Sequence, residues 1–294
     1  MRRWDCAICT LIFSVCVLHL AHATDDHPGD YVPLPPGTSV LLSYSFYGID
    51  EGGNIGGINL SGSNTGLRFA TEIVRYVHYL KILDHTVDAN LIVPFGGYWD
   101  GRINGLKLND TFGAYDPILA SSIWVLEQAQ QGRYFAVTPL LYIPVGSYNT
   151  GVALNTGEHR WKGTLELGWV EPLIPTELTL ELNGNASWFG KNESAGFGHR
   201  TLTEQPSFQL QPWLRYNFTP GQAVSFGYFG QFGGVQRLDG VSNGFRTDEQ
   251  AVRLNYQQLL TPNLQLSTTV AHDVAVRDGF RQVFLLDVRL AFVF

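Results

Sequence analysis

Four charged residues in the last fifth of the chain have the types and spacing to act together: Arg253, Asp273, Asp287 and Arg289. Each stands in a stretch where apolar and polar residues alternate, and each falls on the polar side of that alternation. On a β-strand this puts every one of them on the same side of its strand. Arg253 lies seven residues before Leu260, Asp273 nine after Leu264, and Asp287 and Arg289 seven and five before Phe294. If these stretches are neighbouring strands, the four groups meet near one height. Charges of both signs there make either a polar constriction that selects solutes or a structural ion network that pairs across strands. Lys162, Glu166, Glu181 and Arg215 share the same parity on other stretches and are further candidates. Trp213 and Phe229, also on that parity, would add an apolar surface.

Enzyme signatures are mostly absent. The chain has no Gly-x-Ser-x-Gly elbow, no His-Glu-x-x-His and no phosphate loop. The histidines after residue 23 are His27, His78, His85, His159, His199 and His272, and no two are spaced as a metal pair on one strand face. His272 and Asp273 fall on opposite parities and cannot form a dyad. No catalytic, cofactor or metal site is expected.

The elements that would carry these charges are clearest at the C-terminus. Phe284, Leu286, Val288, Leu290, Phe292 and Phe294 form one uniformly apolar face, while Asp287 and Arg289 lie on the other. A soluble sheet would need a second layer over that apolar face. In an outer-membrane barrel lipid covers it, and the polar face looks into the lumen. A terminal strand ending in Phe also resembles the C-terminal signature of bacterial outer-membrane barrels. Composition agrees. Charged residues are 15% of the chain, against roughly a quarter in soluble domains, aromatics are 13%, and Gly numbers 32.

The N-terminus reads as an address. Arg2 and Arg3 precede an apolar run from Cys6 to Leu20, and Ala21-His22-Ala23 offers small residues for a peptidase. Residues 1–23 are therefore expected to be a cleaved secretory signal, being short for a membrane anchor. All three cysteines lie in it, so no disulfide or thiolate site is expected beyond it. Its removal takes two arginines and one aspartate, leaving 17 basic against 25 acidic residues, a net charge of −8 that disfavours nucleic acid as a partner. Residues 24–37, polar and Pro-rich, are expected to be a short, poorly ordered periplasmic lead-in, too short for a plug domain.

From residue 38 to 294 the alternation predicts an all-β fold, a transmembrane antiparallel barrel of about twelve strands. The first strands fall near 38–47, 65–82 and 86–97, with a long loop at 48–64. The clearest hairpin joins Trp161–Trp169 to Leu178–Trp188 through a turn at Pro172–Thr176. Long loops alternate with short turns, as in bacterial barrels. Arg68, Glu72 and Arg75 in the second strand break parity, which allows a bulge or a ten-strand arrangement. Trp161 and Trp188 near loop ends, and Trp169, Tyr216 and Phe218 near turn ends, match two interfacial girdles.

Three segments carry a family resemblance: Phe112-Gly-Ala-Tyr-Asp-Pro117, Pro139-Leu-Leu-Tyr-Ile-Pro-Val-Gly-Ser-Tyr148 and Leu154-Asn-Thr-Gly-Glu-His-Arg-Trp161. In order and spacing they resemble the "meta-pathway of phenol degradation" outer-membrane protein family, except that Val145 stands where that pattern usually has Thr. The resemblance implies passage of hydrophobic compounds and assigns no ligand residue. The expected function is thus an outer-membrane channel for passive uptake of small hydrophobic or aromatic molecules, with outer-membrane lipid and the solute as partners. A membrane-embedded lipid-acting enzyme and a structural barrel without transport are the alternatives.

Overall fold

The computed structural model describes residues 25–55, 58–60, 64–196 and 198–294. The signal-peptide reading and the cysteines fall outside the described residues. Among them, twelve antiparallel strands close into a barrel. They are β1 (Ser39–Ile55), β2 (Gly66–Ile82), β3 (His85–Ile103), an interrupted β4 (Thr111–Ala114, Ile118–Ala120 and Ile123–Gln128), β5 (Arg133–Tyr142) and β6 (Lys162–Ile174). The rest are β7 (Leu178–Phe189), β8 (Ser207–Thr219), β9 (Gln222–Gly233), β10 (Thr247–Thr261), β11 (Leu264–Val276) and β12 (Gly279–Val293). Closure comes from β12 pairing with β1, Val293 opposite Val40, so the sheet keeps no free edge.

The alternation has the expected sign on β12. Phe284, Leu290, Phe292 and Phe294 are exposed to the lipid side, and Leu285, Asp287, Arg289 and Ala291 are buried inside. β6 and β7 behave likewise, with Leu165, Leu167, Leu182 and Trp188 outside and Thr164, Glu166, Glu181 and Asn183 inside. The second strand pairs with β1 without a break, from Gly66 opposite Glu51 to His78 opposite Ser39, while its pairing with β3 shifts register between Gly66 and Arg68. Its charges diverge because Arg75 points into the lumen while Arg68 and Glu72 point outward. The loop expected at 48–64 is shorter, since β1 continues to Ile55.

β4 breaks twice, and side chains replace the lost ladder bonds. Pro117 has no N–H to give. At the second break the Asp88 carboxylate accepts from the Ser122 N–H at 2.6 Å, and the Ser121 hydroxyl donates to the Asp88 carbonyl at 2.6 Å. At the first, Asp116 accepts from the backbone N–H of Gly146 and of Glu158, both at 2.8 Å. The motif residues thus clamp the long β5–β6 loop against the broken strand. Gly146 is required there, because a Cβ would stand 2.8 Å from Asp116 atoms. Two further loops build a small four-stranded sheet from Asn192–Ala195, Arg200–Glu204, Gln236–Leu238 and Val241–Ser242. Arg160 joins the β5–β6 loop to it, at 2.7 Å from both Glu158 and Glu204. Burial pushes the Glu204 carboxyl above the usual carboxylate range, and Arg160 offsets part of that.

Candidate functional site

The segment before β1 is neither periplasmic nor loose. From residue 25 it crosses the lumen, with Asp26, His27 and Tyr31 buried. Its backbone and side chains are bonded to strands around the barrel. The Trp213 indole donates to the Asp26 carbonyl at 3.1 Å, Gln257 to the Pro28 carbonyl at 2.7 Å, and the Trp124 indole to the Tyr31 carbonyl at 3.0 Å. The Gly29 N–H donates to Glu181 at 2.7 Å. The Tyr31 hydroxyl donates to Glu166 at 2.5 Å, and the ring lies over Gly168, where a Cβ would come within 2.2 Å of it. The expected lead-in is therefore a plug of about a dozen residues. A short chain suffices because the barrel is narrow and the wall supplies the bonding partners.

Of the four charges placed together by parity, Arg253, Asp287 and Arg289 meet this segment rather than one another. Arg289 contacts Asp30 at 2.6 Å, Asp287 contacts His27 at 3.0 Å, and Arg253 lies 3.6 Å from Asp25. Arg253 also lies over the rings of Phe229, 4.7 Å away, and Trp213, 5.3 Å away, so these two aromatics hold a guanidinium instead of lining free space. Arg215 pairs with Glu181 at 3.0 Å. Arg75, which parity had left unassigned, lies 3.8 Å from Asp30 and is the member that sequence reasoning missed.

Asp273 does not join the group. Asp287 is opposite Thr269, so Asp273 lies four residues further toward the loops, where it accepts from the Gln282 N–H at 2.6 Å. Counting from Phe294 misplaced the reference level, because Phe292 stands opposite Leu264, which puts Asp287 five residues and Asp273 nine residues above it. Lys162 is also apart, near the outer mouth, 4.3 Å from the Tyr142 ring centroid.

Space remains below the crossing and, in a small amount, at it. Below it, toward the short turns, a vestibule of about 520 Å³ is lined by Leu34, Val40, Leu42, Val77 and Tyr79 among others. At the crossing itself about 40 Å³ is left, beside Asp30, Tyr44, Ile73, Arg75 and Ile92. That volume is of the order of a water molecule or two. The lumen is closed at this level by the protein's own chain.

A family model described as "Putative MetA-pathway of phenol degradation" matches residues 37–285. The chain belongs to that family. Among solved structures, it is similar to the COG4313 outer membrane channel from Pseudomonas putida F1, with 27% identity, a TM-score of 0.86, and 92% of this chain and 100% of that chain covered. The β domain of the Bordetella autotransporter BrkA, at 9% identity and a TM-score of 0.54 over 86% of this chain and 98% of that one, shares the barrel fold. No match was found among curated proteins. The family member is a protein of the bacterial outer membrane.

Proposed function

We propose that the barrel is a channel for passive uptake of small hydrophobic or aromatic molecules, and that the N-terminal segment closes it in the state described above. The observation that carries this reading is an apolar strip along one side of the lumen. It runs from Leu42 and Val77 in the vestibule, past Tyr44 and Ile73 at the crossing, to Phe46 and Phe69 nearer the loops. A hydrophobic solute gains by lying on such a strip, whereas the opposite side of the lumen is mostly polar, with Glu166, Glu181, Asn183 and Gln211 facing inward. The similar COG4313 structure is that of an outer membrane channel, which supports the same reading. Passive passage needs no catalytic residue and no cofactor.

Gly168 provides the test. A side chain there cannot share space with the Tyr31 ring, so Gly168→Val should displace the segment. In planar bilayers the variant should conduct ions better than the wild type, and toluene added to one side should reduce that current. A folded Gly168→Val barrel with wild-type current and no response to toluene would overturn the proposal. It would favour a structural barrel, a reading that the closed lumen also permits.

A further inference from the structure

The strongest contact between segment and wall is a carboxylate held by two guanidinium groups. Asp30 offers one oxygen to Arg289 at 2.6 Å and the other to Arg75 at 3.8 Å. Both arginines are fixed by the wall independently of the segment. Arg289 donates to Gln265 at 2.9 Å and Arg75 to Asn90 at 2.8 Å, all four residues standing on barrel strands. Withdrawal of the segment would therefore leave two oriented guanidinium groups facing the lumen without the carboxylate between them. Buried guanidinium groups stripped of their counter-charge are costly. A preorganised pair of this kind suits a planar carboxylate.

The surroundings restrict what else the ligand carries. Beside Asp30 the wall residues bounding the space are Tyr44, Ile73, Ile92, Ala120 and Leu140, with Ser122, Thr138 and Glu166 also lining it. We propose that Arg75 and Arg289 form a carboxylate-binding site in the open lumen, taking the acid group of a small aromatic acid whose ring lies on the apolar strip. Asp30 is the internal occupant that fills this site when the segment is in place. The proposal rests on the channel reading and narrows it, since a neutral hydrocarbon would have no use for the arginine pair.

Benzoate, benzyl alcohol and acetate separate the contributions of charge and ring. In a variant lacking residues 25–31, benzoate should reduce channel current at a concentration at least about tenfold below that needed for either control, because only it offers both contacts. Arg289→Gln in that background should bring benzoate to the level of benzyl alcohol. In the full chain, Asp30→Asn should raise the affinity for benzoate, because the internal competitor loses its charge. Equal potency of benzoate and benzyl alcohol, or an Arg289→Gln variant as sensitive as its parent, would overturn the site and leave the arginines as anchors of the segment. A deletion variant without any current would refute the channel reading instead. Benzoate binding would then be read from the fluorescence of Trp124, which is buried beside Tyr79, and the lack of a saturable change would overturn the site as well. If Arg289→Gln fails to fold, as judged by heat-dependent gel mobility, Arg289→Lys takes its place. It keeps the charge, loses the fork, and should weaken benzoate more than benzyl alcohol.

Discussion

The two sides of the lumen wall follow the same alternation with different inward content. On β1 and β2 the inward residues include Tyr44, Phe46, Leu67, Phe69 and Ile73, and the outward ones mix Leu41, Val74 and Tyr76 with Ser43, Ser45 and Glu72. On β6 to β8 the inward residues include Glu166, Glu181, Asn183, Asn185 and Gln211 beside Val170 and Trp213, and the outward ones include Leu165, Leu182 and Leu210. Buried polar groups call for partners. Many on the polar side have them, within the wall, as where Asn185 donates to Glu166 at 2.9 Å, or through the segment, while the Asn183 amide and the Ser225 hydroxyl have none. The apolar side needs only close packing. Gly48 shows how close, since a Cβ there would stand 2.1 Å from the Phe69 ring. The segment lies between the two, with bonds to the polar wall and Asp30 turned to Arg75 and Arg289.

The largest expected effect tests whether the apolar side is packed or hydrated. Phe69 is 5% exposed and meets Tyr98 with ring centroids 6.4 Å apart. Phe69→Ala should cost about 3–5 kcal/mol in urea unfolding from lipid vesicles, the usual range for deleting a buried aromatic. On the polar side, Ser225→Ala removes a buried hydroxyl that has no hydrogen-bond partner and should change stability by less than about 1 kcal/mol. Similar small losses at both positions would mean that water fills the apolar side and that the contrast is one of composition alone.

The next effect tests the sign of the alternation on β7. Leu180 points to lipid and Thr179, 6% exposed, points inward. Leu180 stands two residues into β7 from the short turn, near the interface, so Leu180→Arg should lower stability by up to about 1 kcal/mol. Thr179→Arg should cost less, although it adds a charge opposite Arg215. Equal losses would mean that the lipid and lumen faces of this hairpin are not distinct.

How much of this was legible depended on whether a strand carries charge. On β12, Asp287 and Arg289 mark the inner face, and on β7, Glu181 does, so alternation there gives both the faces and their direction. On β1 the inward set is Val40, Leu42, Tyr44 and Phe46. Alternation separates this set from Ser43 and Ser45, but periodicity has no sign, and lipid and a packed interior both accept apolar side chains. The N-terminal segment was misread because Pro and Asp suggest a solvated tail. Two of its carboxylates, Asp25 and Asp30, meet lumen arginines, a signal that appears only once those arginines are known to be enclosed. The clamp by Asp116 was visible as a motif, yet its partners Gly146 and Glu158 lie 30 and 42 residues away and needed coordinates.

The smallest expected effect tests the outer surface of β1 and β2. Glu72 faces away from the lumen and accepts a hydrogen bond from the Ser45 hydroxyl at 2.7 Å, with Phe95 opposite it on β3. A carboxylate on a lipid-facing strand is destabilising, less so than Arg or Lys and less so near the interface than at the midplane. Replacing it should therefore help. Glu72→Leu should raise stability by about 1 kcal/mol in urea unfolding from vesicles, with Ser45→Ala near neutral in that background because its acceptor is gone. The comparison sharpens if the gain is found, because an outward charge would then be a cost the barrel carries where its apolar residues were turned inward. A loss on Glu72→Leu would break it, since the carboxylate would then have to be stabilised by something outside the barrel, and the outward face of β1 and β2 could no longer be treated as a surface against lipid.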